Sequence, residues 1–347
     1  MGHLVTQGQA MLLYAKLSMN MESVLHNFAT VLIYVEFIFG NLSNGFIVLS
    51  NFLDWVIKQK LSLIDKILLT LAISRITLIW EIYAWFKSLY DPSSFLIGIE
   101  FQIIYFSWVL SSHFSLWLAT TLSVFYLLRI ANCSWQIFLY LKWRLKQLIV
   151  GMLLGSLVFL LGNLMQSMLE ERFYQYGRNT SVNTMSNDLA MWTELIFFNM
   201  AMFSVIPFTL ALISFLLLIF SLWKHLQKMQ LISRRHRDPS TKAHRNALRI
   251  MVSFLLLYTM HFLSLLISWI AQKHQSELAD IIGMITELMY PSVHSCILIL
   301  GNSKLKQTSL CMLRHLRCRL KGENITIAYS NQITSFCVFC VANKSMR

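Results

Sequence analysis

The sequence predicts an all-α membrane protein, a seven-transmembrane helix bundle, and three observations carry that prediction. Seven apolar stretches, residues 28–50, 63–86, 99–128, 148–168, 191–222, 247–271 and 281–300, are each long enough to cross a bilayer. A helix rises ~1.5 Å per residue, so about 20 residues cover ~30 Å of hydrocarbon. Charged residues make up 13% of the chain, far below the ~25% of soluble domains. Finally, the basic residues fall in every second gap. Residues 51–61, 129–146, 223–249 and 302–321 hold twenty Lys and Arg, against five in the other gaps. That asymmetry puts the N-terminus outside and the C-terminus in the cytoplasm. The formal net charge of +13 therefore points to anionic lipid and a cytoplasmic partner, not to nucleic acid.

Residues 1–20 have no basic start, and their apolar run Met11–Ala15 is shorter than a signal peptide needs. They read as an N-terminal extension of low functional content. The seven-transmembrane domain follows at 21–301, with Met21 directly before the first span, and a cytoplasmic tail occupies 302–347. Among the outer loops, 170–190 is long and polar and carries Asn179-Thr180-Ser181. It is the sequon that this topology clearly exposes to the glycosylation machinery, so Asn179 is the expected glycan site. In the third inner loop, Lys224 and Lys228 continue the fifth helix on one face, and Asp238-Pro239-Ser240 forms the turn. Arg129, Lys142, Arg144, Lys224, Lys228 and Arg245 are the basic residues placed to meet a cytoplasmic protein.

No phosphate-binding glycine loop, nucleophile motif or metal-ligand cluster is present, so the chain reads as a non-enzyme without cofactor or metal. His225, His236 and His244 sit in a basic loop as solvated residues. None of the six cysteines falls in an outer loop. Cys311 and Cys318, in a basic juxtamembrane stretch, suit palmitoylation or, the favoured reading, incidental reduced thiols.

An ionisable side chain within a span is costly and marks a functional position. Five stand out: Glu36, Arg75, Glu81, Glu194 and Glu287. Arg75 lies midway along the second span and needs acceptors. Asn44 of the first span and Ser292 or Ser295 of the seventh lie at a similar depth, which predicts a polar lock among spans one, two and seven. A second layer lies nearer the outer face. Glu287 is about 7 residues deep, and Trp108, Ser112 and His261 about 9–13, neighbouring layers at ~1.5 Å per residue. Aromatic walls with a few polar groups make a small-molecule cavity. An internal Glu287–His261 pair is the structural alternative.

Several segments together closely resemble the bitter taste receptor family (taste receptors type 2). These are Gly40-Asn41-Leu42-Ser43-Asn44-Gly45-Phe46-Ile47, Leu71-Ala72-Ile73-Ser74-Arg75, His113-Phe114-Ser115-Leu116-Trp117-Leu118-Ala119-Thr120 and Phe125-Tyr126-Leu127-Leu128-Arg129-Ile130-Ala131-Asn132. Ser221-Leu222-Trp223-Lys224-His225, Pro291-Ser292-Val293-His294-Ser295-Cys296 and Lys304-Leu305-Lys306-Gln307 extend the likeness, which covers about Met21–Lys321. The chain lacks an Asp-Arg-Tyr after the third span and an Asn-Pro-x-x-Tyr in the seventh. It departs from the family in its first 20 residues, in its distal tail, and at Leu116 and Arg129.

The resemblance implies a G protein-coupled receptor of the plasma membrane for bitter or toxic small molecules, acting through a gustducin-type heterotrimeric G protein. It implies ligand contacts at Trp108, Ser112, His261, Met284 and Glu287, with Trp85 and Phe86 at the rim. A chemosensory receptor of another family, such as a vomeronasal receptor, is disfavoured by the motifs at 71–75 and 291–307. A heptahelical transporter would need a charged path, and only scattered acids are present. Asn179→Gln is expected to abolish an endoglycosidase-sensitive mass shift on a gel; an unchanged position would show that the loop is unmodified.

Overall fold

Within hydrocarbon every backbone N–H and C=O must be satisfied inside the chain, and apolar segments of this length meet that demand as helices. The computed structural model describes residues 2–90, 99–131, 136–178, 185–232, 239–274 and 277–320. In chain order the helices are α1 (Gly2–Lys58), α2 (Leu63–Tyr90), α3 (Ile99–Ile130), α4 (Gln136–Trp143), α5 (Leu145–Arg178), α6 (Met185–Ile232), α7 (Pro239–His274), α8 (Glu277–Gly301) and α9 (Ser303–Leu320). No strand occurs among the described residues. Seven of these helices contain a segment long and apolar enough to cross a membrane: Asn27–Lys58, Leu63–Ser88, Gln102–Ile130, Leu145–Gln166, Phe198–His225, Ala247–Ala271 and Leu278–Gly301. They coincide with the seven stretches expected from the sequence.

The helices run beyond those spans. The chain has no proline before Pro92, so nothing breaks α1, which begins at Gly2 rather than near Phe28. Residues 2–20, read from the sequence as an extension of low functional content, continue the first span as helix. α6 carries the fifth span on to Ile232, as the Lys224–Lys228 spacing suggests. α7 starts at Pro239, a residue expected in the turn. Proline suits a first helical position because its missing N–H would have no partner there. Between α1 and α2, Gln59 takes a left-handed φ of 52°, and Ser62 caps α2 by accepting the Asp65 N–H at 3.2 Å.

α3 is the axis of the bundle, packed on α2, α5 and α6, while α8 packs on α1, α2 and α7. In the most apolar window of α3, 72% of residues are buried, against 22% in that of α5, which is therefore mostly a peripheral helix. Exposed apolar side chains such as Val31, Val35, Ile38 and Leu42 on α1, or Leu154, Val158 and Leu161 on α5, form continuous stripes. Such a surface is intolerable in water and natural against lipid. Close approach is bought with small residues. A Cβ on Gly40 would collide with the Ser292 hydroxyl and the Ile79 side chain, so α1, α2 and α8 meet only because Gly40 has none.

Gly40→Val is expected to cost ~1–3 kcal/mol by overpacking this crossing. Gly45→Ala, with nothing within 4 Å of the added atom, should be near neutral. Thermal unfolding of the detergent-solubilised protein would compare the two; an equal effect would show that the crossing yields.

Candidate functional site

The spans place one permanent charge at the middle of the bundle. Arg75 on α2 is 0% exposed. No carboxylate pairs with it among the described residues. Instead Nη1 donates to Ser295 Oγ at 3.2 Å and Nη2 to Tyr290 OH at 3.2 Å. The guanidinium also lies over the Tyr290 ring, 5.0 Å from its centre, a cation–π arrangement. Ser295 passes the link on by donating to Asn44 Oδ1 at 2.6 Å. Asn44 Nδ2 then donates to Gly40 O at 2.8 Å and to Pro291 O at 3.1 Å. Arg75, Ser295 and Asn44 thus form one chain across α2, α8 and α1. Ser292 is not part of it; its hydroxyl faces the backbone carbonyls of Glu36 and Leu288.

Tyr290 was not among the residues singled out from the sequence, yet it is the hub of this layer. The His261 ring stacks on it at 4.4 Å, His294 lies at 5.4 Å, and Tyr258 meets it edge-on at 5.9 Å. Tyr258 OH and Thr120 Oγ1 share a hydrogen bond of 3.0 Å, and Thr120 reaches Pro207 O at 3.0 Å. The contacts therefore run from α2 through α8, α7 and α3 to the proline of α6. A tyrosine immediately before a mid-helix proline was the available signal.

Toward the end of the bundle opposite the basic gaps lies a second layer. Glu287 on α8 is 5% exposed and accepts a hydrogen bond from Trp108 Nε1 of α3 at 3.1 Å. Trp85, Phe86, Met284 and Trp108 pack in one apolar cluster with Leu78, Ile79 and Leu288. Ser112, one turn along from Trp108, is buried. Beside them the Glu81 carboxylate of α2 accepts hydrogen bonds from the Ser107 and Ser111 hydroxyls of α3. His261 is not hydrogen-bonded or ion-paired to Glu287. It belongs to the Tyr290 stack, its Nδ1 lacks a hydrogen-bond partner, and Trp108 holds the carboxylate that a His261 pair would need.

At the basic end, Lys304 of α9 forms ion pairs with Asp54 of α1 and, at 3.0 Å, with Asp65 of α2. Its amine also reaches Asn51 Oδ1 at 3.5 Å. Sequence distance hid this clamp. Arg129 and Lys224 are exposed, Lys142 is half-buried, and the Arg144 guanidinium lies 5.2 Å from the Tyr140 ring centre. Lys228 and Arg245 are helical, but their side chains, like Asn179, lie outside the described residues. Cys311 is disulfide-bonded, so the reduced thiol expected there is not found. Sequence spacing alone does not say which sulfurs meet.

The family model for Taste receptor protein (TAS2R) matches residues 21–317. The chain belongs to this receptor family. Taste receptor type 2 member 102 of Rattus norvegicus is 76% identical over 94% of this chain and 100% of its own length. Taste receptor type 2 member 124 of Mus musculus is 67% identical over 88% of this chain and 99% of its own. Member 13 of Pongo pygmaeus is 54% identical over 84% and 97%. This taste receptor is accordingly a multi-pass G protein-coupled receptor of the plasma membrane, from a family of bitter taste receptors rather than enzymes.

Arg75→Ala in this receptor leaves Ser295 and Tyr290 without their donor, at a cost of ~1–3 kcal/mol for unpaired buried groups. Lower signalling efficacy or altered basal activity is expected at matched surface level. Unchanged signalling in a normally exported variant would confine the arginine to packing.

Proposed function

We propose that this receptor binds bitter or toxic small molecules in the layer around Trp108 and Glu287 and signals through a gustducin-type G protein at the basic end. The N-terminus then lies outside and the tail inside, as the Lys and Arg asymmetry requires. The observation that carries the reading is the buried Glu287 carboxylate, held by the Trp108 indole at 3.1 Å and set against Trp85, Phe86 and Met284. Burying a carboxylate without an opposite charge is costly. A cationic amine entering this layer would supply that charge and gain ~0.5–2 kcal/mol from the Trp108 face. Ser112 and His261, at the next depths, are the polar and aromatic floor in this reading.

Binding produces a signal only if the ligand favours one arrangement of the bundle over another. Glu287 shares α8 with Tyr290 and Ser295, within about two turns at 3.6 residues per turn. A shift of α8 at Glu287 therefore moves both acceptors of Arg75. The contacts through Tyr258 and Thr120 carry the rearrangement toward α7 and α6. Opening between these helices would expose the face that Arg129, Lys142, Arg144, Lys224, Lys228 and Arg245 offer to the G protein.

Glu287→Gln keeps the shape and removes the charge. Potency of amine agonists is expected to fall about tenfold or more, the scale of one favourable charge contact, while neutral agonists change little. Calcium responses and agonist-dependent GTPγS exchange at matched surface levels measure both. Equal losses for the two classes would show that Glu287 serves only to hold Trp108.

A further inference from the structure

One lipid-facing seam of the bundle carries aromatic and polar groups among its aliphatic neighbours. Residues three or four apart share a helix face, so Tyr34, Phe37, Asn41 and Gly45 form one line along α1. Tyr83, Trp80 and Thr77 of α2 stand opposite them in antiparallel order. Trp80 is 55% exposed, yet it is held in place. Its Nε1 donates to Asn41 Oδ1 at 3.1 Å, and Asn41 Nδ2 donates to Phe37 O at 2.8 Å. The Phe37 ring meets Trp80 edge-on at 5.0 Å and lies 4.5 Å from the Tyr83 ring. Phe37 is itself anchored against the buried cluster of Ile33, Ile79 and Leu288. With its N–H bonded, what Trp80 shows to the hydrocarbon is apolar ring surface fixed in one position.

The two ends of the seam differ. At the end opposite the basic gaps, the Tyr34 and Tyr83 hydroxyls lie 3.5 Å apart, long for a bond between hydroxyls. One such contact leaves the pair with an unused donor and unused lone pairs, and neither hydroxyl has another partner among the described residues. Tyr83 is about 8 Å from the Ser88 end of its span, which is ~39 Å long at ~1.5 Å per residue. The pair therefore sits just inside the edge of ~30 Å of hydrocarbon. At the inner end, level with Thr77, a Cβ on Gly45 would meet nothing within 4 Å, so the seam opens into a recess. Thr77 turns its hydroxyl to Ile73 O at 3.2 Å, which leaves the recess apolar. Tyr34 and Gly45 are ~16 Å apart along α1.

We propose that this groove between α1 and α2 is a sterol-binding site. The sterol hydroxyl bridges the Tyr34 and Tyr83 phenols, the flat fused rings lie against Trp80, and the tail enters the recess at Gly45. An acyl chain brings no hydroxyl to the phenols and loses more freedom on binding than a rigid ring system does. The site is separate from the Trp108–Glu287 layer and does not depend on what binds there.

The test uses the full chain in single-copy phosphatidylcholine nanodiscs with cholestanol carrying a photoreactive group on its rings. Saturable labelling is expected on the peptides holding residues 34–45 and 73–83. Tyr34→Phe and Tyr83→Phe together keep both rings and remove both hydroxyls; labelling should weaken roughly threefold to tenfold, the worth of one hydrogen bond. Gly45→Leu fills the recess from the lipid side and should remove most saturable labelling, with thermal unfolding in sterol-free detergent unchanged. Labelling that does not saturate, that falls on other peptides, or that persists undiminished in either variant overturns the proposal. Equal labelling of the same peptides by a photoreactive phosphatidylcholine would give the groove to any lipid chain and overturn it too. So would loss of labelling in nanodiscs holding two receptors, which would assign this face to a second copy of the chain.

Discussion

A guanidinium at the centre of a bilayer-spanning bundle, with no carboxylate beside it among the described residues, is the constraint around which the other helices are arranged. Arginine keeps its charge even when buried, so α8 must bring acceptors to Arg75. It does so with a hydroxyl, a phenol and the face of a ring. Tyr290 and Ser295 are five residues apart on α8, on either side of one helix face, and both reach the same side chain. That double hold fixes the rotation of α8 about its axis. The Asn44 link through Ser295 fixes α1 in turn, and the absent side chain of Gly40 lets the three helices come close enough to complete it.

The two polar layers are mechanically related because α8 carries a residue of each. Glu287 belongs to the layer with Trp108, and Tyr290, about one turn farther along, belongs to the layer with Arg75. A packed interior has few intermediate arrangements, so a displacement at one layer is either absorbed by side-chain rotation or passed to the other as a unit. His261, stacked on Tyr290, stands between them in role: a candidate floor for a ligand and a wall of the arginine network at once.

Much of the architecture was legible because the membrane removes alternatives. Apolar length and the placement of Lys and Arg gave seven spans whose limits agree with the membrane-crossing segments to within a few residues, apart from the end of the first and the start of the fifth. Arg75 and Asn44 could be paired by depth because a charge in hydrocarbon cannot go without partners. Depth did not distinguish Ser295 from Ser292, since that choice depends on helix rotation and the two differ by 300° of turn. Tyr290 was overlooked because tyrosine in an apolar span reads as packing. The serines on Glu81 and the clamp at Lys304 were invisible because each joins residues from separate helices at a register that residue counting does not fix. The long reach of α1 at its start was missed for a different reason: without a proline the helix had no cause to stop.

The ion pairs of Lys304 alter the electrostatic face of the molecule as well as its packing. Asp54 and Asp65 spend their charge on Lys304, and Asp54 also on Lys58, so neither projects a free negative field from the basic end. An acidic surface approaching there meets Arg129, Arg144 and Lys224 undiluted by these two carboxylates. Attraction of this kind acts over about a Debye length, ~8 Å at physiological ionic strength, and fades as salt is added. Two aspartates turned inward thus leave the basic end more strongly positive than its carboxylates would suggest.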